Sequence, residues 1–206
     1  MRNADGTDGH YFSASPAVPS ERRTVRLVLP DLSLELTTDR GVFSGDRVDA
    51  GTKLLLSEVA VPTDLRGDVL DLGCGYGAIA VTLARRAPSA TVWALDVNER
   101  ALALAAENAT SAGVGGRVRA VRAEELPADV RFSAVFSNPP IRIGKAALHD
   151  LLVTWLSRLT PGGRGFLVVQ KHLGSDSLAK WLREQGLRVD RIGSRMGYRL
   201  LEVAPA

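Results

Sequence analysis

Val69-Leu70-Asp71-Leu72-Gly73-Cys74-Gly75-Tyr76-Gly77-Ala78-Ile79-Ala80 begins as a short apolar run and continues with glycine at three alternate positions. It then passes into a pattern whose apolar residues, Ile79, Val81, Leu83 and Ala84, share one helical face. The order predicts a strand, a tight turn and a helix. Glycine accepts positive φ in such a turn and lets a bound molecule approach the backbone without a Cβ in between. The first N–H groups of the helix then point at that molecule, an arrangement suited to a nucleotide or a carboxylate.

Alone, the loop is ambiguous. Gly73-x-Gly75-x-x-Ala78 also satisfies a dinucleotide-binding fingerprint with alanine in the third place, and Asp96 follows at a suitable distance. Two further features bear on the choice. Asp71 stands two residues ahead of the first glycine, and Asn138-Pro139-Pro140 follows a later strand, Ala134 to Ser137.

Together, the Asp-x-Gly-x-Gly-x-Gly loop, the acid ending the next strand and Asn-Pro-Pro after the fourth resemble the class I S-adenosylmethionine-dependent methyltransferases. More narrowly, the chain is similar to the methyltransferase small domain group, which includes enzymes of the methyltransferase C type that modify guanine N2 in small-subunit ribosomal RNA. Asp39-Arg40-Gly41-Val42-Phe43-Ser44, Val48-Asp49-x-Gly51-Thr52-Lys53, Ile141-Arg142-x-Gly144-Lys145 and Gly197-Tyr198-Arg199 carry the likeness over nearly the whole chain.

The resemblance implies a Rossmann-like α/β fold: a doubly wound, seven-stranded mixed sheet whose last strand is antiparallel, preceded by an N-terminal β-hairpin. It implies S-adenosylmethionine as cofactor, held by Asp71, Gly73, Gly75, Gly77, Asp96, Glu124 and Asn138. Asp96, ending the second strand, would accept the ribose hydroxyls, and Glu124 would lie near the adenine amine, although Glu125 beside it blurs that assignment. Asn138, Pro139 and Pro140 would be catalytic. Many amino methyltransferases place an aromatic residue after the second proline, to stack on the target base, whereas here it is Ile141. Phe43 is the first choice for the missing stacking surface and Tyr198 the second, with Arg142 and Lys145 as phosphate contacts or as ordinary solvated charges.

The chemistry at Asn-Pro-Pro follows from the acceptor. An exocyclic amine is a poor nucleophile because its lone pair is delocalised into the ring, so it must be oriented. The Asn138 side-chain oxygen and the Pro139 carbonyl can accept both amine hydrogens, and two prolines stiffen the turn that carries them. A sulfonium already activates the methyl, so the transfer needs no metal, covalent intermediate or strong base. His149 and His172 are accordingly read as structural or surface groups.

At 206 residues the chain is long enough for one α/β domain and too short for a second catalytic one. Residues 1–20 are expected to form a mobile or loosely docked tail, in which His10-Tyr11-Phe12-Ser13 is the one aromatic cluster, and residues 21–206 a single domain with 21–50 as hairpin and loop. Neither an apolar run of about 18 residues nor a hydrophobic leader is found, so a cytoplasmic protein without membrane contact is expected. The single cysteine, Cys74, excludes an internal disulfide and reads as a small side chain filling the turn.

Net charge is +3 and the pI about 9.3, a modest lean towards an anionic partner. The expected partner is rRNA or the small ribosomal subunit, met by a monomer or dimer. Adenine N6, a protein glutamine amide and a small metabolite remain open as acceptors, because Asn-Pro-Pro specifies a planar NH₂ better than it specifies guanine. An oxidoreductase would leave Asn138-Pro139-Pro140 without a task, and a non-catalytic RNA-binding module would transfer no methyl.

Local signals fill in the rest. Thr24 to Leu29 and Leu32 to Leu36 alternate as strands around Pro30-Asp31. Thr52 is expected to cap a helix from Lys53 to Val59, and Asn98 one from Glu99 to Ala112. A helix from Leu148 to Leu159, a turn at Pro161-Gly162-Gly163, a last helix from Ser177 to Gln185, and strands Arg188 to Ile192 and Tyr198 to Val203 complete the pattern.

Overall fold

The computed structural model describes residues 18–206, and residues 1–17, with the His10-Tyr11-Phe12-Ser13 cluster, lie outside the described residues. Strands β1 (Arg23–Val28) and β2 (Ser33–Thr38) form an antiparallel hairpin. Val25, Leu27, Leu34 and Leu36 are buried while Arg26 and Glu35 face out, the period-two alternation of a sheet with one wet face.

Seven strands make the main sheet: β3 (Gly67–Leu72), β4 (Ala90–Leu95), β5 (Val118–Val121), β6 (Phe132–Ser137), β7 (Leu159–Gln170), β8 (Leu187–Arg195) and β9 (Tyr198–Pro205). Their order is β5-β4-β3-β6-β7-β9-β8, with β3 to β7 parallel and β9 antiparallel to both its neighbours. This is the doubly wound mixed sheet that the sequence implies. After β5 the chain returns to the other side of β3, so the winding reverses between β3 and β6, where ligands bind in open α/β sheets.

Helices α1 (Ala50–Glu58), α2 (Ala78–Arg86) and α3 (Glu99–Ser111) cover one face together with the hairpin, and α4 (Lys145–Leu156) and α5 (Ser175–Glu184) cover the other. Alternation along β3 sends Val69 into the first core and Leu70 and Leu72 into the second. Each such fully buried side chain contributes roughly 1.5–3 kcal/mol. Among the described residues, no helix is long and apolar enough to cross a membrane.

Asn108 of α3 fastens the hairpin beside the glycine loop. Its side chain accepts from Thr37 N–H at 2.7 Å and donates to the carbonyls of Thr37 and Tyr76, both at 2.8 Å. The loop after β2 is held in turn by Asn98, whose Nδ2 donates to the Gly41 carbonyl at 2.8 Å. These two buried amides bring Phe43 to the end of the main sheet.

Several boundaries differ from expectation. Asp49, not Thr52, caps α1: its Oδ1 accepts from Gly51 and Thr52 N–H at 2.8 and 3.0 Å, so the helix begins at Ala50 and Gly51 lies inside it. Helix α4 starts at Lys145 and ends at Leu156, while Leu159 begins β7. Its buried side chain suits either element, but its backbone pairs with Phe132. Pro161-Gly162-Gly163 is an irregularity within β7, because Phe132 pairs with Leu159 and Ala134 with Arg164.

Candidate active site

The carboxyl ends of β3, β4 and β6 open into a cavity of about 420 Å³. On one wall the glycine loop is pinned by its own backbone. Gly73 and Cys74 N–H donate to the Leu95 carbonyl at 2.9 and 3.0 Å, and Gly75 N–H donates to Asp96 Oδ2 at 2.9 Å. Gly75 has φ +53°, and a Cβ there would meet nothing within 4 Å, so the loop turns bare backbone towards open space. Gly77 serves packing instead. With φ +88°, it lies where a Cβ would come 3.0 Å from Ala105 Cα and Cβ, so it lets the loop settle on α3.

Asp96 lines the cavity at the end of β4, and Asn98 N–H also donates to it, at 3.0 Å. Burial raises its carboxyl above the ordinary value, against the pull of the backbone donors from Asn98 and Gly75. Asp71 is more deeply placed, fully buried on the side of β3 that faces α2. Gly77 has no side chain with which to cap α2, and Asp71 Oδ2 satisfies the orphan N–H of Ala80 at 2.9 Å. Its Oδ1 finds no partner among the described residues. Burial, with a smaller contribution from Asp96, pushes the Asp71 carboxyl up to about 8. Burial likewise raises the Cys74 thiol, and the nearby carboxylates Asp96 and Asp71 add to the effect, consistent with a packing role.

The opposite wall is made from side chains. Asn138, after β6, donates through Nδ2 to Asp49 Oδ1 at 2.7 Å and to Thr52 Oγ1 at 3.1 Å. Both amide hydrogens are thereby used, and its oxygen is left as an acceptor. Pro140 has φ −75° and ψ 75°, an inverse γ-turn in which Ile141 N–H donates to the Pro139 carbonyl at 2.8 Å. That carbonyl keeps its second lone pair. Below the turn, Ser137 Oγ donates to the Leu72 carbonyl at 2.7 Å, tying the ends of β3 and β6 together.

Nine of the sequence-derived candidates meet at the cavity. Gly73, Gly75 and Asp96 stand on one side, Asn138, Pro139 and Pro140 on the other, and Phe43, Ile141 and Arg142 at its border. Phe43 is 48% exposed, an aromatic ring kept at the opening rather than in the core. Asp71 and Gly77 lie behind the wall in the roles just described. Glu124 is exposed in a single 3₁₀ turn and pairs with Arg122 at 3.1 Å, outside the cavity wall. Lys145 is exposed at the start of α4. Tyr198 lies behind Gln170, whose Nε2 donates to its hydroxyl at 3.1 Å, and its ring covers Gly51, where a Cβ would come within 2.6 Å. His149 stacks on Trp181 with ring centroids 3.5 Å apart.

Sequence reasoning assigns no role to Asp49, Gln170 or Leu173, all of which line the cavity. Asp49 carries a signal: Asp-x-Gly-Thr before an apolar run is a helix start with an acid at the cap. Its bond to Asn138 spans 89 residues and has no local signature. Apolar Val42, Leu95, Val97 and Ala101, with the carboxylate of Asp96 and the bare backbone at Gly75, provide a nucleoside-sized slot. The groups present fit the adenosyl part of S-adenosylmethionine.

Residues 33–202 match the family described as Methyltransferase small domain. The chain is 33% identical over 196 residues to the uncharacterized protein YbxB of Bacillus subtilis, covering 94% of this chain and 96% of that one. It is 34% identical over 161 residues to ribosomal RNA small subunit methyltransferase C of Shewanella amazonensis, covering 75% of this chain but 46% of that protein. Among solved structures, a T. thermophilus 16S rRNA N2 methyltransferase in complex with AdoMet and guanosine matches with a TM-score of 0.76 and 26% identity. That match covers 93% of this chain and 52% of the other, so the present chain spans about half the length of these rRNA-modifying relatives. The likeness to the first relative covers nearly all of both chains, the family match takes in the main sheet up to residue 202 in the last strand, and the chain belongs to the methyltransferase small domain family as an S-adenosylmethionine-dependent methyltransferase.

Proposed function

We propose that the protein methylates an exocyclic amine in RNA, namely guanine N2 of small-subunit rRNA. The observation that carries this reading is the fixed amide of Asn138. With both Nδ2 hydrogens given to Asp49 and Thr52, its oxygen is left as an acceptor for an N–H donor, on a residue that lines the cavity. The Pro139 carbonyl, with one lone pair remaining, supplies a second acceptor on the same turn. Such a pair takes both hydrogens of a planar NH₂ and directs the nitrogen lone pair away from the turn.

When bound, S-adenosylmethionine supplies a methyl group already activated by its sulfonium. Asp96 would accept the ribose hydroxyls, Gly73 and Gly75 would lie against the cofactor through bare backbone, and Val97 and Ala101 would flank the adenine. The acceptor base would stack on Phe43 and Ile141 at the opening, a contact worth roughly 1–3 kcal/mol per base. Arg142 and Lys145 are well placed in sequence for the flanking phosphates. Residues 21–206 would act as one catalytic domain in the cytoplasm, with the rRNA or the assembled small subunit as partner.

The test is incubation with methyl-labelled S-adenosylmethionine and, separately, naked small-subunit rRNA, assembled small subunits and a protein extract. We expect label in N2-methylguanosine. Label confined to adenine, protein or small molecules would overturn the acceptor.

A further inference from the structure

Asp49 has two carboxylate oxygens in unlike situations. Oδ1 accepts three hydrogen bonds, from Gly51 N–H at 2.8 Å, Thr52 N–H at 3.0 Å and Asn138 Nδ2 at 2.7 Å. Oδ2 takes none among the described residues, and Asp49 lines the same cavity as Asn138. Capping a helix needs only one oxygen, and an asparagine or serine would serve as well. The second oxygen therefore remains available to a ligand, held by the three bonds on its neighbour.

We propose that Asp49 Oδ2 is the group that selects guanine, by accepting its N1–H while Asn138 and Pro139 accept the amine. This rests on the methyl transfer to guanine N2 inferred above and adds the means of discrimination. Guanine presents two adjacent donors on its Watson–Crick edge, N1–H and the N2 amine, and would meet an acceptor on each of two hydrogen-bonded residues that line the cavity, Asp49 Oδ2 and Asn138 Oδ1. Adenine presents its N6 amine beside N1, which is an acceptor, and a carboxamide presents its amine beside a carbonyl oxygen. Either would set a lone pair against the carboxylate and leave Oδ2 unpaired on binding, a loss larger than that of a missing neutral contact. One oxygen outside the Asn-Pro-Pro motif thus sets guanine apart from both adenine and a carboxamide.

The decisive pair of substrates is small-subunit rRNA carrying guanosine or 2-aminopurine at the labelled position. 2-Aminopurine keeps the amine but turns N1 into an acceptor. The unaltered protein should favour guanosine by roughly 10–100-fold in kcat/KM, the scale of one charge-assisted hydrogen bond. Asp49→Asn keeps an oxygen for the helix cap and Asn138 and puts an amide donor where Oδ2 stood. Transfer to guanosine should then fall at least about tenfold while 2-aminopurine gains, narrowing or reversing the ratio. Asp49→Ser, which caps the helix without a second oxygen, should lower guanosine transfer and remove the preference without reversing it. Equilibrium binding of the two RNAs in the absence of cofactor should rank them the same way. If the protein methylates guanine N2 but Asp49→Asn leaves the ratio unchanged, Asp49 is only a cap and the inference falls. If it transfers to no guanosine at all, the proposed acceptor falls and takes this inference with it.

Discussion

On the glycine-loop wall, Gly73, Cys74 and Gly75 give their N–H groups to Leu95 and Asp96, so the wall is fixed largely by backbone. On the facing wall, Asn138 is fixed by the side chains of Asp49 and Thr52, 89 and 86 residues away in sequence. A backbone-built wall tolerates side-chain changes except where a Cβ would intrude, as at Gly77, or where a buried group supports it from behind, as Asp71 does. The side-chain wall has no such tolerance, since each member satisfies another. Substitutions on the first wall should therefore act on stability and cofactor affinity, and those on the second on turnover.

The largest expected effect tests the support behind the first wall. The folded-state value of Asp71, about 8, lies far above that of an exposed carboxyl, so the folded state binds the proton more tightly than the unfolded chain. The sign follows. The stability that this group contributes is fully present below about pH 4 and is lost as pH rises through about 8, at up to roughly 1.4 kcal/mol per pH unit. Asp71→Asn keeps an acceptor for Ala80 N–H and does not titrate. Denaturant unfolding of both proteins at pH 5, 6.5 and 8 should show the parent losing stability relative to the variant by roughly 3 kcal/mol across that range. A difference that stays flat with pH would mean that the carboxyl is solvated or paired in solution.

Asn138→Ala comes next and tests the second wall. It removes the oriented acceptor and leaves the glycine loop and Asp96 in place. Single-turnover transfer should fall about 10²-fold or more, and the Kd for S-adenosylmethionine should move by less than about threefold. Parallel losses in both would erase the distinction between the walls.

Asp96→Ala should give the reverse pattern. The carboxylate anchors Gly75 and Asn98 N–H and would accept the ribose, so calorimetric affinity for S-adenosylmethionine should weaken by roughly 10–100-fold. Turnover at saturating cofactor should change far less. If turnover falls while affinity holds, Asp96 acts on the acceptor side.

The same contrast explains how much of the molecule is legible in its sequence. Strand–turn–helix at Val69–Ala80 is legible because glycine spacing, apolar alternation and an acid at fixed offset are local. The strand order needs only the βα repetition and the closing hairpin. Asn138 is legible through its prolines. What holds Asn138 is not, because a hydrogen bond between Nδ2 and Asp49 leaves no pattern in either segment, and Thr52, a plausible cap by local rules, is in fact a partner of that amide. Leu159 escapes local reading for a related reason. Its apolar side chain continues the helical stripe of Leu151, Leu152 and Trp155, and only pairing with Phe132, a long-range matter, assigns it to a strand.

The smallest expected effect concerns a residue that falls on neither wall. Resemblance puts Glu124 near the adenine amine, yet the chain after β5 turns so that Glu124 is exposed and engaged with Arg122, while Arg122 also approaches Glu99 at 3.4 Å. Exposed ion pairs of this kind are worth about 0–1 kcal/mol. The slot walls proposed to flank the adenine, Val97 and Ala101, are apolar, so base affinity there would come from burial rather than from an acid at this position. Glu124→Ala should accordingly leave the Kd for S-adenosylmethionine within about twofold and stability within about 1 kcal/mol. A tenfold weakening would show that the turn closes over the cofactor and draws Glu124 from Arg122 to the adenine amine. The glycine-loop wall would then depend on a side chain as the Asn138 wall does, and the contrast between the two would hold only for the protein without its cofactor.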